Sequence, residues 1–234
     1  KSGTGNVSVL AAQNVEFTAP ADIVTTANGT IDVLAGTGSV TMDPASLFQT
    51  TGADGDIRLM AAQSVIVGDL EADGDVSIVA TAGSITDADA LVAGVNDGDI
   101  DITSSGLRLW AGTGIGQTVN HLETTVGTVS ARAASGGIYL LESTGLTVSD
   151  VSVTANRVGS DATTTTVNSS DAVQSDLVTT AGDGSIVLRT TTGDLILNDG
   201  TAAADNTAVS ANGSGNILIQ VMGALTDITA NADV

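Results

Sequence analysis

A short glycine-led pattern recurs along this chain and constrains its fold more than any other feature. The pattern is Gly-x-Φ-x-Φ, in which Φ is an apolar residue, and a second alternation begins seven to nine residues after each glycine. Such units begin at Gly5, Gly29, Gly55, Gly74, Gly98, Gly127, Gly184 and Gly215. Most are 19 to 31 residues long, and a unit of that size with two short strands cannot bury its own apolar face. Neighbouring units must therefore stack on one another.

Each alternation predicts a β-strand with one face inside and one outside. In the unit that begins at Gly29, for example, Ile31 and Val33 are the inward pair of the first strand. In the unit that begins at Gly98, the same rule assigns residues 100–102 to the first strand and residues 107–109 to the second. Two or three short strands per unit with small-residue corners predict an all-β fold, a right-handed parallel β-helix (solenoid) of about eight to nine coils.

The chain reads as a single β-helix domain over residues 1–234, as expected for a segment of a longer protein. The longest interval between units, from Gly127 to Gly184, is the exception to the repeat. Within it, residues 145–153 (GLTVSDVSV) resemble one degenerate coil. Residues 158–182, rich in Thr, Ser and Asp, predict a polar insertion or loop that leaves the helix.

The same register places outward residues of successive units beside one another. It predicts a surface ion pair between Asp32 and Arg58 on adjacent rungs, worth about 0–1 kcal/mol. It also predicts that Arg108 lies beside Tyr139, in a cation–π contact worth about 0.5–1 kcal/mol.

Composition removes several classes of function. A formal charge of −21, from 27 acidic residues against 6 Lys and Arg, would repel nucleic acid and anionic membrane surfaces, so no nucleic-acid partner is expected. The absence of cysteine excludes disulfides and cysteine-based metal sites. No window approaches the roughly 18 consecutive apolar residues of a membrane span. An acidic surface favours divalent cations, cationic partners or plain solubility.

The phrases GDIRLMAAQSVIVGDLEAD (55–73) and GDVSIVATAGSIT (74–86) resemble the repeats of filamentous-haemagglutinin-like exoproteins, large β-helical surface adhesins of Gram-negative bacteria. The resemblance implies an extracellular or cell-surface location in a bacterium and a structural or adhesive role as a stalk or fibre. It implies self-association or contact with neighbouring β-helical segments, and a host or cell-surface carbohydrate or protein as a further partner. The Asn-Pro-Asn motifs of that family's secretion domain are absent from this sequence, and its coil lengths vary more than is usual there.

Aspartates beside the glycines at the predicted corners, which we call the acidic corners, form one candidate metal site. Pairs of aspartates flank glycines in three successive units, and stacking is expected to bring them into one column; they are Asp54, Asp56, Asp73, Asp75, Asp97 and Asp99. Hard carboxylate oxygens suit Ca²⁺, so a calcium ladder is one interpretation. Ordinary turn chemistry, in which Asp lies beside a glycine at a corner, is the other. No other cofactor is expected.

Four outward apolar residues are candidate contacts with a ligand or partner. Trp110 precedes a glycine-rich run, and its ring could stack on a sugar or anchor a protein. Val187, Ile196 and Leu218 make the exterior of the last units apolar. We expect the insertion or a neighbouring domain to cover these three residues, and ordinary strand propensity is the alternative.

Catalysis is not expected. His121, the only histidine, is interpreted as a surface-loop residue, and no triad stands out around it. A polysaccharide-binding or polysaccharide-degrading β-helical enzyme remains the alternative function, and degradation would require two or three acids clustered in one groove. The sequence alone assigns no catalytic residue.

Overall fold

The computed structural model describes residues 3–89, 98–167 and 171–234 of the chain. Within these residues every regular element is a β-strand, and there is no helix. The strands are β1 (Val7–Ala11), β2 (Val15–Glu16), β3 (Ile23–Val24), β4 (Ile31–Ala35), β5 (Val40–Thr41), β6 (Leu47–Thr50), β7 (Ile57–Ala61), β8 (Val65–Val67), β9 (Asp69–Ala72), β10 (Asp75–Ala80), β11 (Ile85–Asp87), β12 (Ile102–Ala111), β13 (Gly114–Ile115), β14 (Leu122–Ala133), β15 (Gly137–Glu142), β16 (Leu146–Val148), β17 (Ala155–Val158), β18 (Thr164–Val167), β19 (Leu177–Thr179), β20 (Ile186–Thr190), β21 (Leu195–Leu197), β22 (Val209–Ser210), β23 (Ile217–Val221) and β24 (Ile228–Ala230).

Twenty-two of these strands form one sheet with parallel pairings, and the sheet winds into a solenoid-like shape. Strands of successive turns pair along three walls. The first wall contains β1, β4, β7, β10 and the later parts of β12 and β14. The second wall contains β2, β5, β8, β11, β13 and β15, and continues into β20 and β23. The third wall contains β3, β6, β9 and the early parts of β12 and β14.

Like residues stack on like residues along the walls, which explains why the repeat was visible in the sequence. Ile31 pairs with Val7 on one side and with Ile57 on the other. Alternate side chains enter the interior, where they are removed from water. The predicted inward residues of the early units are fully buried: Ile31, Val33, Ile57, Leu59, Val65, Val67, Val76 and Ile78. The all-β, parallel, stacked prediction is confirmed.

The unit that begins at Gly98 departs from the prediction, because β12 runs for ten residues from the third wall into the first without a corner. Ile102 pairs with Leu70 of the third wall. Leu107 pairs with Val76 of the first wall. The predicted division of this unit into a first strand at 100–102 and a second at 107–109 is therefore wrong.

This shift also changes the neighbours of Arg108. Its rung neighbours are Ser77 on β10 and Ser130 on β14. Tyr139 lies on the second wall, where it pairs with Val187. The predicted contact between Arg108 and Tyr139 is wrong, because it assumed that both residues belonged to the same wall.

One excursion leaves the coils after β16 and runs along the outer face of the first wall. We call residues 151–167 and 171–176 the crossing segment; it includes the antiparallel hairpin of β17 and β18. Its backbone N–H groups bond to successive turns: Thr154 to the Asp56 carboxylate (3.1 Å), Asn156 to the Thr30 hydroxyl (2.8 Å) and Val158 to the Ser8 hydroxyl (2.9 Å). The predicted insertion, residues 158–182, overlaps this segment, while β19 already pairs with β14 in the stack.

The two ends of the stack differ from its middle. At one end β23 and β24 pair, among the described residues, only with β20 and β21. Apolar side chains that would face a further turn are accessible there, including Ile217 and Ile228. At the other end β1 pairs only with β4 within the same part of the chain, and Val7 and Val9 are partly buried.

Candidate functional site

A network of buried charges fastens the crossing segment to the first wall. The Asp171 carboxylate accepts a hydrogen bond from the Arg58 Nε and another from the Ser77 hydroxyl at 2.6 Å. Arg108 Nη1 lies 3.8 Å from the same carboxylate. On the next rung, Asp32 binds Arg58 Nη1 at 2.9 Å and Arg157 Nε at 2.7 Å. Two carboxylates and three guanidinium groups therefore alternate along the wall.

The ion pair between Asp32 and Arg58 forms on adjacent rungs, as predicted, but it is not on the surface. The Arg58 side chain exposes 2 % of its area and the Asp32 side chain none. The crossing segment excludes water from this face, which sequence periodicity alone would leave in solvent. Burial lowers the pKa of Arg108, and the nearby charge of Asp171 opposes that shift. These buried, paired charges therefore have a structural role, which is to hold the crossing segment against the first wall.

Beside this network lies a groove of about 420 Å³ that contains Trp110. Trp110 is 42 % exposed, in agreement with its predicted outward direction. The Arg108 guanidinium lies 5.7 Å from the centre of the Trp110 ring, within cation–π range. Arg132, on the neighbouring rung, is exposed and lines the same groove, as does Val173 of the crossing segment. An aromatic face beside the exposed Arg132 guanidinium can bind a planar or anionic polar ligand.

The acidic corners form a second pocket, of about 400 Å³, but they contribute only part of the predicted column. Asp54, Asp56 and Asp75 line it together with Thr154 and Asn156 of the crossing segment. The Asp56 carboxylate accepts hydrogen bonds from the N–H of Asp75 at 2.9 Å and from that of Thr154. A Cβ on Gly74 would lie 2.4 Å from Asp56 Oδ1, so glycine is required for this close approach.

Burial raises the pKa of Asp56, and its two backbone hydrogen bonds oppose the shift. Burial also raises the pKa of Asp75, opposed by the N–H of Gly106. Both carboxylates therefore hold protons more tightly than free aspartate does. This pocket is the part of the predicted acidic column that could still hold a cation.

The other three predicted acids lie elsewhere. Asp73 accepts a hydrogen bond from the Gly52 N–H at 2.8 Å, which is turn chemistry. Asp99 is exposed and lies near Asp69, whose pKa is raised by burial and then by the charge of Asp99. Asp97 lies outside the described residues. A single column of six carboxylates is therefore not formed by the described residues.

A third acidic group was not predicted as a site. Asp87, Asp89 and Asp101 each place a carboxylate oxygen within 4.8 Å of the others. The only sequence signal is the Asp-x-Asp spacing at 87 and 89. Asp101 is separate from this pair in the sequence and joins it only in the folded structure.

His121 is not a surface-loop residue. It is 8 % exposed, and its ring is stacked on Tyr139 with centroids 6.0 Å apart. Burial lowers its pKa, and the positive charge of Arg189 adds to the shift. The surface prediction was wrong because β14, which follows at once, draws this residue against the second wall.

The outward apolar residues of the last turns are not covered by the crossing segment, which lies on the first wall near β1 to β14. Val187 is half-buried, and Ile196 and Leu218 are 37 % and 46 % exposed. The prediction that the insertion covers this face is wrong. Cover by a neighbouring domain stays a prediction.

No family model, curated protein or solved structure matches this chain. Among the described residues, no helix is long and apolar enough to cross a membrane. The walls, the groove and the acidic clusters of this chain are therefore the basis for its proposed function.

Proposed function

We propose that this chain is a rigid structural segment of a bacterial extracellular or cell-surface protein, a right-handed parallel β-helix of about eight to nine coils that serves as a stalk or fibre. The observation that carries the proposal is the continuity of the walls, in which the register repeats from turn to turn. A stack of this kind is stiff along its axis, because each turn is hydrogen-bonded to the next and the crossing segment ties several turns together.

The ends of the stack support assembly in line. At the last turn, the edges of β23 and β24 are open within the described part of the chain, and Ile217, Leu218 and Ile228 are 36 %, 46 % and 44 % exposed. Open strand edges with apolar side chains bind further strands. The occupant that fits is a turn of the same repeat, and in the isolated chain that turn belongs to a second copy. A head-to-tail contact of this kind does not close, so it produces filaments.

Sedimentation velocity over a concentration series tests this assembly. The wild-type chain is expected to show a distribution of sizes that grows with concentration. Ile228→Lys places a charge on the open edge and should keep the chain monomeric. Val173→Lys is the matched control, because Val173 is 47 % exposed but lies on the crossing segment, and it should behave as wild type. A wild-type chain that stays monomeric at its solubility limit would contradict the proposal.

The groove at Trp110 supports a second candidate function, the binding of a polysaccharide. The exposed Arg132, one of the chain's few basic residues, lines this groove although the chain as a whole is strongly acidic. Charge complementarity therefore favours an anionic sugar, such as a uronate, stacked on the Trp110 ring.

Affinity electrophoresis in gels that contain polygalacturonate tests this second function, with a neutral glucan for comparison. Trp110→Ala should weaken retardation about fivefold to tenfold, because it removes the stacking face. Leu225→Ala, at a fully exposed apolar residue, should leave retardation unchanged. Equal retardation of the wild type and Trp110→Ala would remove this candidate.

A further inference from the structure

The three clustered acids Asp87, Asp89 and Asp101 lie at one corner of the stack. Asp87 is the last residue of β11, and Asp101 immediately precedes β12. The backbone holds Asp101 firmly: its N–H donates to the Glu123 carbonyl at 3.1 Å, and its carbonyl accepts from the Leu70 N–H at 2.8 Å. One Asp101 carboxylate oxygen also accepts from the Glu123 N–H at 2.7 Å. Asp101 is therefore held between the neighbouring turns on both sides, at Leu70 and at Glu123.

In the described structure, no Lys or Arg forms an ion pair with Asp87 or Asp101. Asp87 and Asp101 are 9 % and 3 % exposed. The ion pairs found among the described residues all lie on the crossing segment and the first wall, away from this corner. Like charges at this spacing are stable only if a proton or a cation lies between them.

A second observation, independent of the acids, points to a ligand at the same corner. Asn120 is 7 % exposed, and its Nδ2 donates to Asp87 Oδ2 at 2.7 Å. Its Oδ1, bonded to the same carbon as that nitrogen, is buried and accepts no hydrogen bond. A buried amide oxygen without a donor is costly, and this one belongs to an amide group that is hydrogen-bonded to the Asp87 carboxylate. The turn closed by the Gln117 N–H and the Asn120 carbonyl, 2.7 Å apart, holds the residue.

We propose that Asp87, Asp89, Asp101 and the Oδ1 of Asn120 bind a Ca²⁺ ion. All four groups offer oxygen, which hard cations prefer, and none offers the nitrogen or sulfur that favours zinc. Ca²⁺ accepts six to eight ligands in irregular geometry, so carboxylates from separate loops and water can complete its shell. Mg²⁺ requires a near-ideal octahedron and retains its water, which suits a corner with buried carboxylates poorly.

The ion would join the end of β11, the start of β12 and the turn before β14, and it would neutralise the densest acidic cluster found among the described residues. Its role is to hold the end of β11 against the start of β12. The site is separate from the pocket of Asp54, Asp56 and Asp75, and it does not depend on assembly or sugar binding. Its test is therefore independent of the proposed function.

Isothermal titration of the EDTA-treated full chain with CaCl₂ tests the proposal. The wild type should bind one strong equivalent, and its melting temperature should rise with Ca²⁺. Asp89→Asn keeps the shape of a half-buried carboxylate and should weaken binding at least tenfold. Asn120→Ser should also weaken Ca²⁺ binding. It replaces Asp89→Asn as the test variant if circular dichroism shows that Asp89→Asn is unfolded. Asp54→Asn is the matched control, from the other acidic pocket, and should bind as wild type does.

Two results would overturn the site. One is a wild-type chain that neither takes up Ca²⁺ nor changes its melting temperature at millimolar concentration. The other is binding that survives Asp89→Asn and Asn120→Ser but is lost in Asp54→Asn, which would place the ion at the acidic corner instead. MgCl₂ in the same titration should compete weakly, and a stronger response to Mg²⁺ than to Ca²⁺ would contradict the choice of cation.

Discussion

Replacing Asp171 by alanine should lower the free energy of unfolding by about 3–5 kcal/mol. The carboxylate is fully buried and accepts from Arg58 and from Ser77, with Arg108 close by. Its removal leaves the Arg58 guanidinium buried with one partner fewer, and it releases the crossing segment from the first wall. Urea unfolding followed by circular dichroism measures the change.

Two further variants separate the ion network from a general effect of substitution. Asp161→Asn, at an exposed aspartate of the same crossing segment, should change stability by less than about 0.5 kcal/mol. The double variant Arg58→Met with Asp171→Leu should recover only part of the loss, because it removes the unpaired Arg58 charge but leaves the buried Arg108 without Asp171. If Asp171→Ala cost no more than Asp161→Asn, the crossing segment would not be held by this network.

The stacked strands could be predicted because stacking imposes a repeated pattern on the sequence. Each turn must supply apolar side chains at the same inward positions, so Ile31, Ile57 and Val76 occupy equivalent places in three units. Their alternation with polar residues fixes which face is inside. Both the repeated inward positions and their alternation with polar residues can be recognised without knowledge of three-dimensional contacts.

The assignment of strands to walls was predictable only while each turn had the same corners. β12 and β14 extend across a corner, so a count that starts at Gly98 assigns residues to the wrong wall. Alternation continues unchanged through such a strand, because a long strand and two short ones have the same period. Periodicity therefore identifies strands but cannot locate every corner.

The crossing segment shows a second limit. Val151, Val153 and Ala155 are buried and alternate, as the residues of a coil do. The sequence was accordingly read there as a degenerate coil. Alternation shows that one face is buried, but it does not show what lies against that face. The burial of Asp32 and Arg58 followed from this covering and was missed for the same reason.

The sequence predicted that acidic residues would cluster, but it did not predict which acidic residues would meet. Asp54, Asp56 and Asp75 line one pocket, as stacking suggested. Asp87 and Asp101 place carboxylate oxygens within 4.8 Å of each other, and the repeat in the sequence did not predict this contact. The amide of Asn120 carries no sequence signal for a cation. Residues from turns of unequal length meet at positions that only the three-dimensional structure defines.

Replacing Glu142 by alanine should lower the free energy of unfolding by about 2–4 kcal/mol. Glu142 is fully buried at the end of β15, and its carboxylate accepts four hydrogen bonds: from the Thr124 hydroxyl (2.8 Å), the Val126 N–H (3.0 Å), the Thr144 N–H (2.8 Å) and the Thr144 hydroxyl (2.6 Å). Alanine removes the acceptor and leaves buried donors of β14 without a partner. Urea unfolding measures the loss, with Glu16→Ala as the exposed control, expected within about 0.5 kcal/mol of wild type.

Glu142→Gln adds a dependence on pH whose sign follows from burial. Burial raises the pKa of Glu142 above its ordinary value of 4.5, although its hydrogen bonds oppose the shift. The folded chain therefore binds this proton more tightly than the unfolded chain does, so the contribution of Glu142 to stability grows as the pH falls from neutral towards that ordinary value. Glutamine does not titrate, so Glu142→Gln should cost more stability at about pH 5 than at about pH 7.5. A larger cost at the higher pH would mean that the hydrogen bonds, and not burial, dominate the pKa of this carboxyl group.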